Sequence, residues 1–520
     1  MYSYFHQIKA AIGRSYRMII LNRNSNTLKK ETTDLFCSFQ KRFSVLAAML
    51  TMILFIAIPA YADRTITLDV KKGQNITYEF REAAYEAKFE PGTLTIIIPP
   101  GTYKVNQLCV WGHTTIKMNN VTLVREPSSK KSMCRLGYKS EDFDYYNNRA
   151  GQPGYSKEFS DITFIGGTWD GSKVSRSLMQ YGHAMNMTFQ NVTFKNVKGS
   201  HHMEFAGCKG IRLINCKFSG YFGDFGSTYN GEAIQFEILT GVGKGHFNGY
   251  HPIDDETTCR DIEITGCIFD GLKRGVGSHT AIANSYFTNF KIHDNVFKNI
   301  TGYAISMMNY ANSSVYNNKI SNCGCGILCA TSERSHKNFY KSAKTSSSRN
   351  SPKQLNNKIY NNTISINRGA NGKSYNNANY GIWLFGEKLK KKRGSMPKGD
   401  WRCSGVTVTN NVITMNVRGG GIWLTGTVNT KIAGNTIKCQ FKKKGKAGAG
   451  AGVWIENGSG DEISGNIVSN VKSGIGKHTM GIYVTGSKKI SLVNNRLIKC
   501  GKAIQASKKQ LKKNAGNKKN

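Results

Sequence analysis

The stretch GIWLTG at residues 421–426 is short and plain, but near-copies of it return along the chain. They read GIWLFG at 381–386, GVWIEN at 452–457 and GIYVTG at 481–486. An aliphatic frame that recurs in this way is the mark of a repeat architecture, in which every repeat is one structural unit. The repeats, rather than any single motif, therefore carry the information about the fold.

A second pattern, x-I-x-I-x-x-N-x-F, alternates with the first, as in NFKIHDNVF at 289–297. We call it the Asn motif and the opening pattern the GIWLT motif. The Asn position falls at Asn295, Asn318, Asn362, Asn411, Asn435, Asn466 and Asn495. The middle residue of the GIWLT motif falls at Glu204, Gln235, Gly277, Ser306, Leu328, Trp383, Trp423, Trp454, Tyr483 and Gln505. Strict alternation predicts a solenoid whose turns add strands to the same stacked sheets, with the amides forming a hydrogen-bonded ladder at a tight bend.

The N-terminal part of the repeat region reads as an end cap. Residues 66–105 predict a strand, an amphipathic helix near 77–89 and a strand ending in PPGTY. With GGTWDG at 166–171 and the repeats, the chain resembles the pectate-lyase-like right-handed parallel β-helix superfamily. The resemblance implies an all-β fold, a single-stranded right-handed parallel β-helix of about 11–12 coils over residues 63–507, capped at 66–105 by a short helix. That superfamily holds lyases, hydrolases, epimerases and non-enzymatic surface proteins, so the fold alone selects no activity.

Both ends of the chain predict processing or disorder. The apolar run VLAAMLTMILFIAI at 45–58 follows Lys41 and Arg42 and precedes the A-x-A site at 60–62. This predicts a signal peptide over 1–62, cleaved after Ala62, with an uncleaved anchor as the alternative. The protein is then secreted or cell-surface associated, with no membrane contact after cleavage. The basic tail at 508–520 is predicted to be disordered.

The cysteines allow two interpretations. Cys208 and Cys259 occupy matching positions in neighbouring repeats, and so do Cys216 and Cys267. Stacked strands lie about 4.8 Å apart, a spacing that a disulfide could accept. A ladder of buried thiols is the alternative.

Charge indicates the class of partner. The chain has 72 Lys and Arg against 32 Asp and Glu, a net charge of +40. Insertions at 331–356, 386–402 and 440–452 are strongly basic. This favours an acidic, uronate-containing polysaccharide or an anionic cell-wall polymer. Nucleic acid would fit the sign, but outward Trp and Glu on a secreted solenoid argue against it.

Alternation along a strand decides which side chains face outward. Ile422 and Leu424 should point into the coil and Trp423 outward, like Trp383, Trp454 and Tyr483. This column is the predicted substrate-binding surface, on which sugar rings could stack. The alternative is that loops cover the column, which is then a second small core.

Toward the N-terminus the outward column becomes polar, and this region is the predicted groove. Glu204 and Glu237 lie on adjacent coils with an offset of two residues, which predicts a diagonal of about 8 Å. Inverting glycosidases hold two carboxyls about 6.5–9.5 Å apart, so this pair is the predicted catalytic pair of a glycoside hydrolase. Further groove candidates are Glu232, Gln235, His202, His279, Lys273 and Arg274. The alternative is that the glutamates balance nearby cations on a solvated face.

Other functions remain open on the residues alone. The aspartate motifs of the polygalacturonase branch are missing from the matching strands, so its catalytic residues do not transfer. A lyase or epimerase would use Arg274 or Lys273 as its base, with Ca²⁺ if a lyase; no other cofactor or metal is expected. A zinc site of His202, Glu204 and His279 is remote because His279 is two coils from His202. A non-catalytic surface adhesin or wall-polymer binder is the remaining alternative.

Overall fold

The computed structural model describes residues 63–88, 92–137, 154–225, 231–239, 255–278, 281–282, 285–331, 339–340, 354–367, 379–394, 396–440, 450–469 and 479–520. The predicted signal peptide at 1–62 lies outside the described residues, as do His279 and most of the basic insertions at 331–356 and 440–452. The described chain forms one compact unit over Asp63–Asn520. None of its helices is long and apolar enough to cross a membrane.

The chain winds into a parallel β-helix in which each coil adds one strand to each of three sheets. Sheet 1 contains β1 (Arg64–Thr67), β2 (Leu94–Ile97), β5 (Thr114–Lys117), β8 (Ser160–Ile165), β11 (Met185–Gln190), β14 (Arg212–Ile214), β17 (Arg260–Thr265), β21 (Phe287–His293), β25 (Ser314–Tyr316), β29 (Lys358–Tyr360), β35 (Thr407–Thr409), β39 (Lys431–Ala433), β42 (Glu462–Ser464), β45 (Ile490–Val493) and β48 (Leu511–Ala515), with β24 (Tyr310–Ala311) beside β21. Sheet 2 contains β3 (Gly101–Val105), β6 (Val121–Arg125), β9 (Thr168–Asp170), β12 (Thr193–Lys198), β15 (Lys217–Phe222), β18 (Ile268–Asp270), β22 (Val296–Lys298), β26 (Lys319–Cys323), β30 (Thr363–Ile366), β36 (Val412–Met415), β40 (Thr436–Cys439), β43 (Ile467–Ser469), β46 (Arg496–Ile498) and β49 (Lys518–Lys519).

Sheet 3 is built from the GIWLT motif. It contains β4 (Leu108–Val110), β7 (Cys134–Leu136), β10 (Met179–Gly182), β13 (Met203–Ala206), β16 (Glu232–Glu237), β19 (Arg274–Gly277), β23 (Tyr303–Met308), β27 (Cys325–Ala330), β31 (Asn379–Phe385), β37 (Gly419–Thr425), β41 (Gly450–Glu456), β44 (Thr479–Thr485) and β47 (Lys502–Gln505). Pairs outside the three sheets are β20 (Ala281–Ile282) with β28 (Phe339–Tyr340), β32 (Glu387–Leu389) with β33 (Gly399–Trp401), and β34 (Cys403–Ser404) with β38 (Thr427–Val428).

The described strands make thirteen complete three-strand coils, with β1 before them and β48 and β49 after them. The right-handed parallel β-helix predicted from the sequence is confirmed, and the predicted number of coils was slightly too low. The tail at 508–520 was wrongly predicted as disordered. Its strands β48 and β49 pair in parallel with β45 and β46 as a last, partial coil. The repeat continues through the lysine-rich tail because Leu511 and Asn517 still occupy the core and ladder positions.

The Asn motif holds two strands rather than one. In its copy at 289–297 the chain ends β21 at His293, bends, and starts β22 at Val296. The left-handed backbone that we expected at the Asn lies one residue earlier, at Asp294, Asn317, Asn361, Asn410 and Asn494. The ladder Asn is therefore free to point inward, where Asn318 Nδ2 donates to Asn362 Oδ1 at 3.0 Å. The predicted amide ladder is confirmed and extends to Asn517.

The interior is one apolar column that runs through all coils. Ile422 and Leu424 are fully buried, as the alternation predicted, and belong to a single cluster that begins at Leu68. Aromatic side chains stack within it, for example Phe218 on Phe269 with ring centroids 4.8 Å apart. No coil can bury its aliphatic residues alone, so neighbouring coils supply the hydrophobic driving force.

The predicted cap is present. Helix α1 (Thr77–Tyr85), continued by a 3₁₀ turn at Glu86–Lys88, buries Phe80, Ala83 and Ala84 against the first coils. The twelve cysteines of the described residues are free thiols, so the interpretation of a thiol ladder holds in this structure. Cys208 N–H, for instance, lies 3.3 Å from Cys259 Sγ on the next coil.

Candidate functional site

The outward column of sheet 3 has the register that the repeats predicted. Strand pairing places Glu204 beside Gln235, Gln235 beside Gly277, and Trp423 between Trp383 and Trp454. The column continues through Tyr483 to Gln505, and it begins earlier than the motif indicated, because Cys109, Arg135 and Gln180 precede Glu204 in the same register. The polar and aromatic parts of the predicted site therefore share one face of one sheet.

The predicted catalytic pair lies on adjacent strands but not in an open groove. Glu237 pairs with Ala206, which confirms its offset of two residues from Glu204. Glu204 is 5% exposed and Glu237 is fully buried, so the expectation that the two carboxylates lie open to solvent was wrong. Glu204 Oε2 accepts a hydrogen bond of 2.8 Å from Gln180, and Glu237 Oε1 accepts one of 2.5 Å from Gln235. Both carboxylates are held by glutamine amides, an arrangement that fixes them in place.

A denser constellation lies where sheet 2 turns into sheet 3. We call it the corner cluster; its members are His201, Tyr221, Glu232, Lys273, Arg274 and Tyr303. At its centre, the buried Glu232 Oε1 accepts hydrogen bonds from Arg274 Nη1 at 2.6 Å and from the Tyr303 hydroxyl at 2.5 Å. His201 Nδ1 lies 3.5 Å from Glu232 Oε2, and the Arg274 guanidinium sits 5.2 Å above the Tyr303 ring. Successive coils supply these side chains at equivalent positions, so the solenoid itself brings them together.

Lys273 and Tyr221 are members of the cluster whose pKa values are shifted. Lys273 is 1% exposed, and its Nζ lies 5.8 Å from the centroid of the Tyr221 ring. Burial, reinforced by the charge of Arg274, lowers the pKa of Lys273 to about 8, although Glu232 and Asp224 oppose the shift. Burial raises the pKa of Tyr221. Shifts of this kind in one cluster of buried groups are typical of functional sites, although structural ion pairs produce them too.

Of the remaining predicted groove residues, one lies in the outward column and one lies in the core. Gln235 lies in the column as expected. His202 was wrongly placed in the groove, because its Nε2 lies 2.9 Å from the backbone oxygen of Ser219 and its ring packs edge-on against Phe218. Burial lowers the pKa of His202 to about 4, so it is a neutral core residue. In the part of the chain that the structure describes, no three His, Cys, Asp or Glu side chains come together as a metal site.

The predicted substrate-binding aromatics form a stack. The ring centroids of Trp383 and Trp423 are 4.6 Å apart and those of Trp423 and Trp454 are 4.7 Å apart, with nearly parallel planes, and Tyr483 follows at 5.7 Å with a tilt of 44°. Trp383 is 8% exposed and packs with Tyr380 and Phe385 in a small core of its own, whereas Trp454 and Tyr483 are half-buried. The alternative of a covered second core thus holds for Trp383, and carbohydrate contact by the column stays a prediction. The ring faces contact one another, so the stack presents ring edges rather than faces to a ligand.

Sequence reasoning missed four residues of the site: Gln180, His201, Tyr221 and Tyr303. A signal for two of them was present. His201, Glu232, Arg274 and Tyr303 each lie three residues before the middle residue of a GIWLT copy, so aligning the copies at that position would have joined them. Tyr221 reaches the cluster from the end of β15 in sheet 2, and no spacing within the motif predicts that contact.

Comparisons with known proteins agree with this architecture. Residues 401–518 match the family described as periplasmic copper-binding protein (NosD). A curated relative, the plasmin and fibronectin-binding protein A of Streptococcus pneumoniae (strain ATCC BAA-255 / R6), is 26% identical over 236 residues, which make up 39% of this chain and 31% of that protein. The match thus spans about a third of the relative's length. The residues that match the NosD family, 401–518, make up less than a quarter of the chain.

Two solved structures are similar in fold. A crystal structure of PfbA, a surface adhesin of Streptococcus pneumoniae, has a TM-score of 0.52 and 16% identity, and the match covers 86% of this chain and 90% of that one. A mutant tailspike protein of E. coli bacteriophage HK620, in complex with a pentasaccharide, has a TM-score of 0.53 and 12% identity, and the match covers 86% of this chain and 75% of that one. At these identities the likeness establishes the parallel β-helix and nothing finer.

Proposed function

We propose that the protein is a secreted or surface β-helix protein that acts on an acidic polysaccharide, and that its chemistry is removal of the proton next to a sugar carboxylate, as in a polysaccharide lyase or epimerase. The observation that carries the proposal is the pairing of Lys273 with Tyr221 in the corner cluster. Their environments move the two pKa values in opposite directions, so that just above pH 8 Lys273 is mostly neutral while Tyr221 still keeps its proton.

The two groups suit the two halves of the reaction. A neutral Lys273 amine takes the proton from the carbon beside the carboxylate, and the electron pair becomes the new carbon–carbon double bond as the glycosidic C–O bond breaks. The Tyr221 phenol, kept protonated by burial, supplies a proton to the departing oxygen. In an epimerase the C–O bond stays intact, and the Tyr221 proton instead returns to the same carbon from the opposite face.

The rest of the corner cluster positions this pair. Glu232 ties down Arg274 and Tyr303, which leaves the neighbouring Lys273 as the base rather than Arg274. Net positive charge on the chain attracts the polymer and offsets its carboxylates. Because Lys273 is buried, the proposal requires the corner to open when substrate binds.

The hydrolase alternative has weaker support. An inverting pair needs a water molecule between two carboxyls and room for a sugar. Glu204 and Glu237 are buried, and each accepts a hydrogen bond from a glutamine amide. Those contacts favour a structural role for the two glutamates.

The test is one assay with three test variants and one matched control. Acidic polysaccharides are incubated with the protein in D₂O, and reducing ends, unsaturated-product absorbance and deuterium at the sugar carbon are followed together. We expect deuterium at the sugar carbon if the enzyme is an epimerase and unsaturated-product absorbance if it is a lyase, with a rate that rises through pH 8 as Lys273 loses its proton. Lys273→Arg keeps the charge but cannot act as a base near pH 8, so it should abolish both signals. Lys291→Arg, on the exposed face of sheet 1, is the matched control.

Glu204→Gln and Glu237→Gln should stay active. If reducing ends appear without absorbance or deuterium, and if their formation is lost in either glutamate variant, the protein is a hydrolase instead. Full activity of Lys273→Arg would remove Lys273 from the mechanism.

A second candidate is a non-catalytic surface adhesin. It is favoured by the sequence match to a protein named for plasmin and fibronectin binding. It predicts binding without turnover, and retention on a polymer or host protein that depends on Trp383, Trp423 and Trp454 but not on Lys273. Retention that survives alanine at all three tryptophans would count against it.

A further inference from the structure

The insertion after β31 contains a basic hairpin that nothing described so far uses. We call residues 387–394 and 396–401 the basic hairpin. Strands β32 and β33 pair antiparallel, with Lys388 opposite Asp400. The turn between them carries Lys390, Lys391, Lys392 and Arg393, all exposed. Part of the insertion predicted from the sequence to be basic is thus an ordered arm.

The foot of the hairpin is a small hydrophobic core of its own. Leu389, Met396 and Trp401 bury themselves against Met308, with Met396 and Trp401 fully buried. Trp401 Nε1 donates to Pro397 O at 3.0 Å, and the Thr331 hydroxyl donates to Trp401 O. The arm is therefore held in place, and a rigid charged arm loses less entropy on binding than a flexible one.

The contact with Met308 places the arm beside the candidate site. Met308 pairs with Ala330, and Ala330 pairs with Phe385 at the end of β31, so the arm reaches back over two coils toward the N-terminus. The next strand in that direction is β19, which begins at Arg274. Met308 lies five residues along β23 from Tyr303 of the corner cluster, a span of about 16 Å. A chain of a few sugars could contact both.

The charges on the arm are only partly neutralised. Arg393 pairs with Glu387 at 3.1 Å, and Asp400 pairs with Arg402 at 2.6 Å and with Lys388 at 3.9 Å. Lys390, Lys391 and Lys392 form no ion pair with any residue that the structure describes. Three adjacent exposed cations repel one another, and a polyanion would relieve that repulsion.

We infer that the basic hairpin is a binding arm for an anionic polysaccharide, whose carboxylates Lys390, Lys391 and Lys392 contact while the chain crosses sheet 3 toward the corner cluster. The inference rests on the proposed function for the class of polymer.

The test is an affinity measurement on the full protein with fluorescently labelled oligogalacturonate as the probe. Lys390→Gln/Lys391→Gln/Lys392→Gln should weaken binding about tenfold at low salt, since three exposed charges are lost, and should make binding less sensitive to salt. Lys358→Gln/Lys431→Gln/Lys438→Gln removes the same charge from the outer faces of sheets 1 and 2 and should change affinity less than about twofold. An equal loss in both variants would mean that only net charge matters, and would overturn the inference.

Further measurements distinguish this inference from the proposed function and from binding of another ligand. Lys291→Arg, on the exposed face of sheet 1 and outside the candidate site, should bind the probe with unchanged affinity. If neither the parent nor any variant turns over substrate but binding still depends on the hairpin, the proposed reaction is wrong and the inference about the basic hairpin is supported. A DNA duplex that binds more tightly than oligogalacturonate, or a probe that does not bind at all, would refute the arm as a polysaccharide site. Unchanged thermal unfolding of the triple variant excludes misfolding as the cause.

Discussion

At the scale of single residues, several charged side chains are buried, and Asp461 is one of them. It is fully buried between β41 and β42 and accepts hydrogen bonds from the Thr427 hydroxyl at 2.7 Å and the Thr430 N–H at 2.9 Å. Burial raises its pKa to about 6, although these hydrogen bonds and the charge of Arg402 act in the other direction. At neutral pH the fold therefore carries a carboxylate that it would hold more easily as the acid.

Asp461→Asn should stabilise the protein at pH 7. The folded-state pKa lies above the unfolded value of 3.8, so protonation favours folding: the stabilisation is complete below about pH 4 and is lost as pH rises through about 6. The asparagine can keep the Thr430 hydrogen bond without the charge, and we expect a gain of about 2 kcal/mol at pH 7 and almost none at pH 4. Urea unfolding of both proteins at the two pH values measures this. A loss at pH 7 would mean that the ion–dipole contacts outweigh burial.

At the scale of elements, the aromatic stack shows what a repeated position does when coils lie in register. Trp423 contacts an indole on each side, and the Trp383 indole donates to the Thr425 hydroxyl at 3.0 Å on the following coil. Side chains that repeat at one position of a strand become neighbours in space, because parallel pairing brings equivalent residues side by side. The stack thus joins four coils on the outside of sheet 3, as the aliphatic residues join them on the inside.

Trp423→Ala should destabilise the protein by about 2–4 kcal/mol, since it removes a large ring together with two stacking contacts. Trp423→Phe keeps an aromatic ring between its neighbours and should cost less than half as much. Denaturant unfolding followed by circular dichroism gives both values. If the alanine variant is as stable as the parent, the stack contributes nothing to folding, and sugar binding becomes the better reason for its tryptophans.

At the scale of the whole molecule, contacts run from each coil to the next, so the ends are the weakest places. The last strands, β48 and β49, cover β45 and β46, and Asn517 completes the hydrogen bonds of Asn495. Terminal repeats of a solenoid protect the exposed edge of the repeat before them.

Removal of residues 508–520 should therefore lower the melting temperature by several degrees and promote aggregation through the uncovered edge of β45 and β46. The matched control, Lys508→Gln/Lys509→Gln/Lys512→Gln, removes three of the charges but keeps the strands and should melt with the parent. A truncated protein that melts at the parent's temperature would show that this last coil does not contribute to stability.

The repeat architecture also explains which features of the structure could be predicted from the sequence. Period-two alternation and strict repetition determine which residues share a column, so the positions of Trp423, Glu204 and the ladder asparagines could be read directly. Burial of an outward column depends on what packs over it, which repetition does not encode, and for this reason Glu204 and Glu237 were expected in solvent. His202 lies beside the motif, where a turn reverses the alternation. The corner cluster contains residues from two sheets, so a pattern within the strands of sheet 3 could not predict that Tyr221 belongs to it.

The amide ladder also has a direction. Each Nδ2 donates toward the C-terminus, from Asn295 through Asn318, Asn362, Asn411, Asn435, Asn466 and Asn495 to Asn517. The amide dipoles are thus aligned head to tail, and each polarises the next. An interruption in the middle would leave two short arrays, whereas one at either end would leave a single array almost as long as before. The same Asn→Ala change should therefore reduce the free energy of unfolding most at Asn411 and least at Asn517. A row of identical side chains thus has a direction, a centre and two ends that differ.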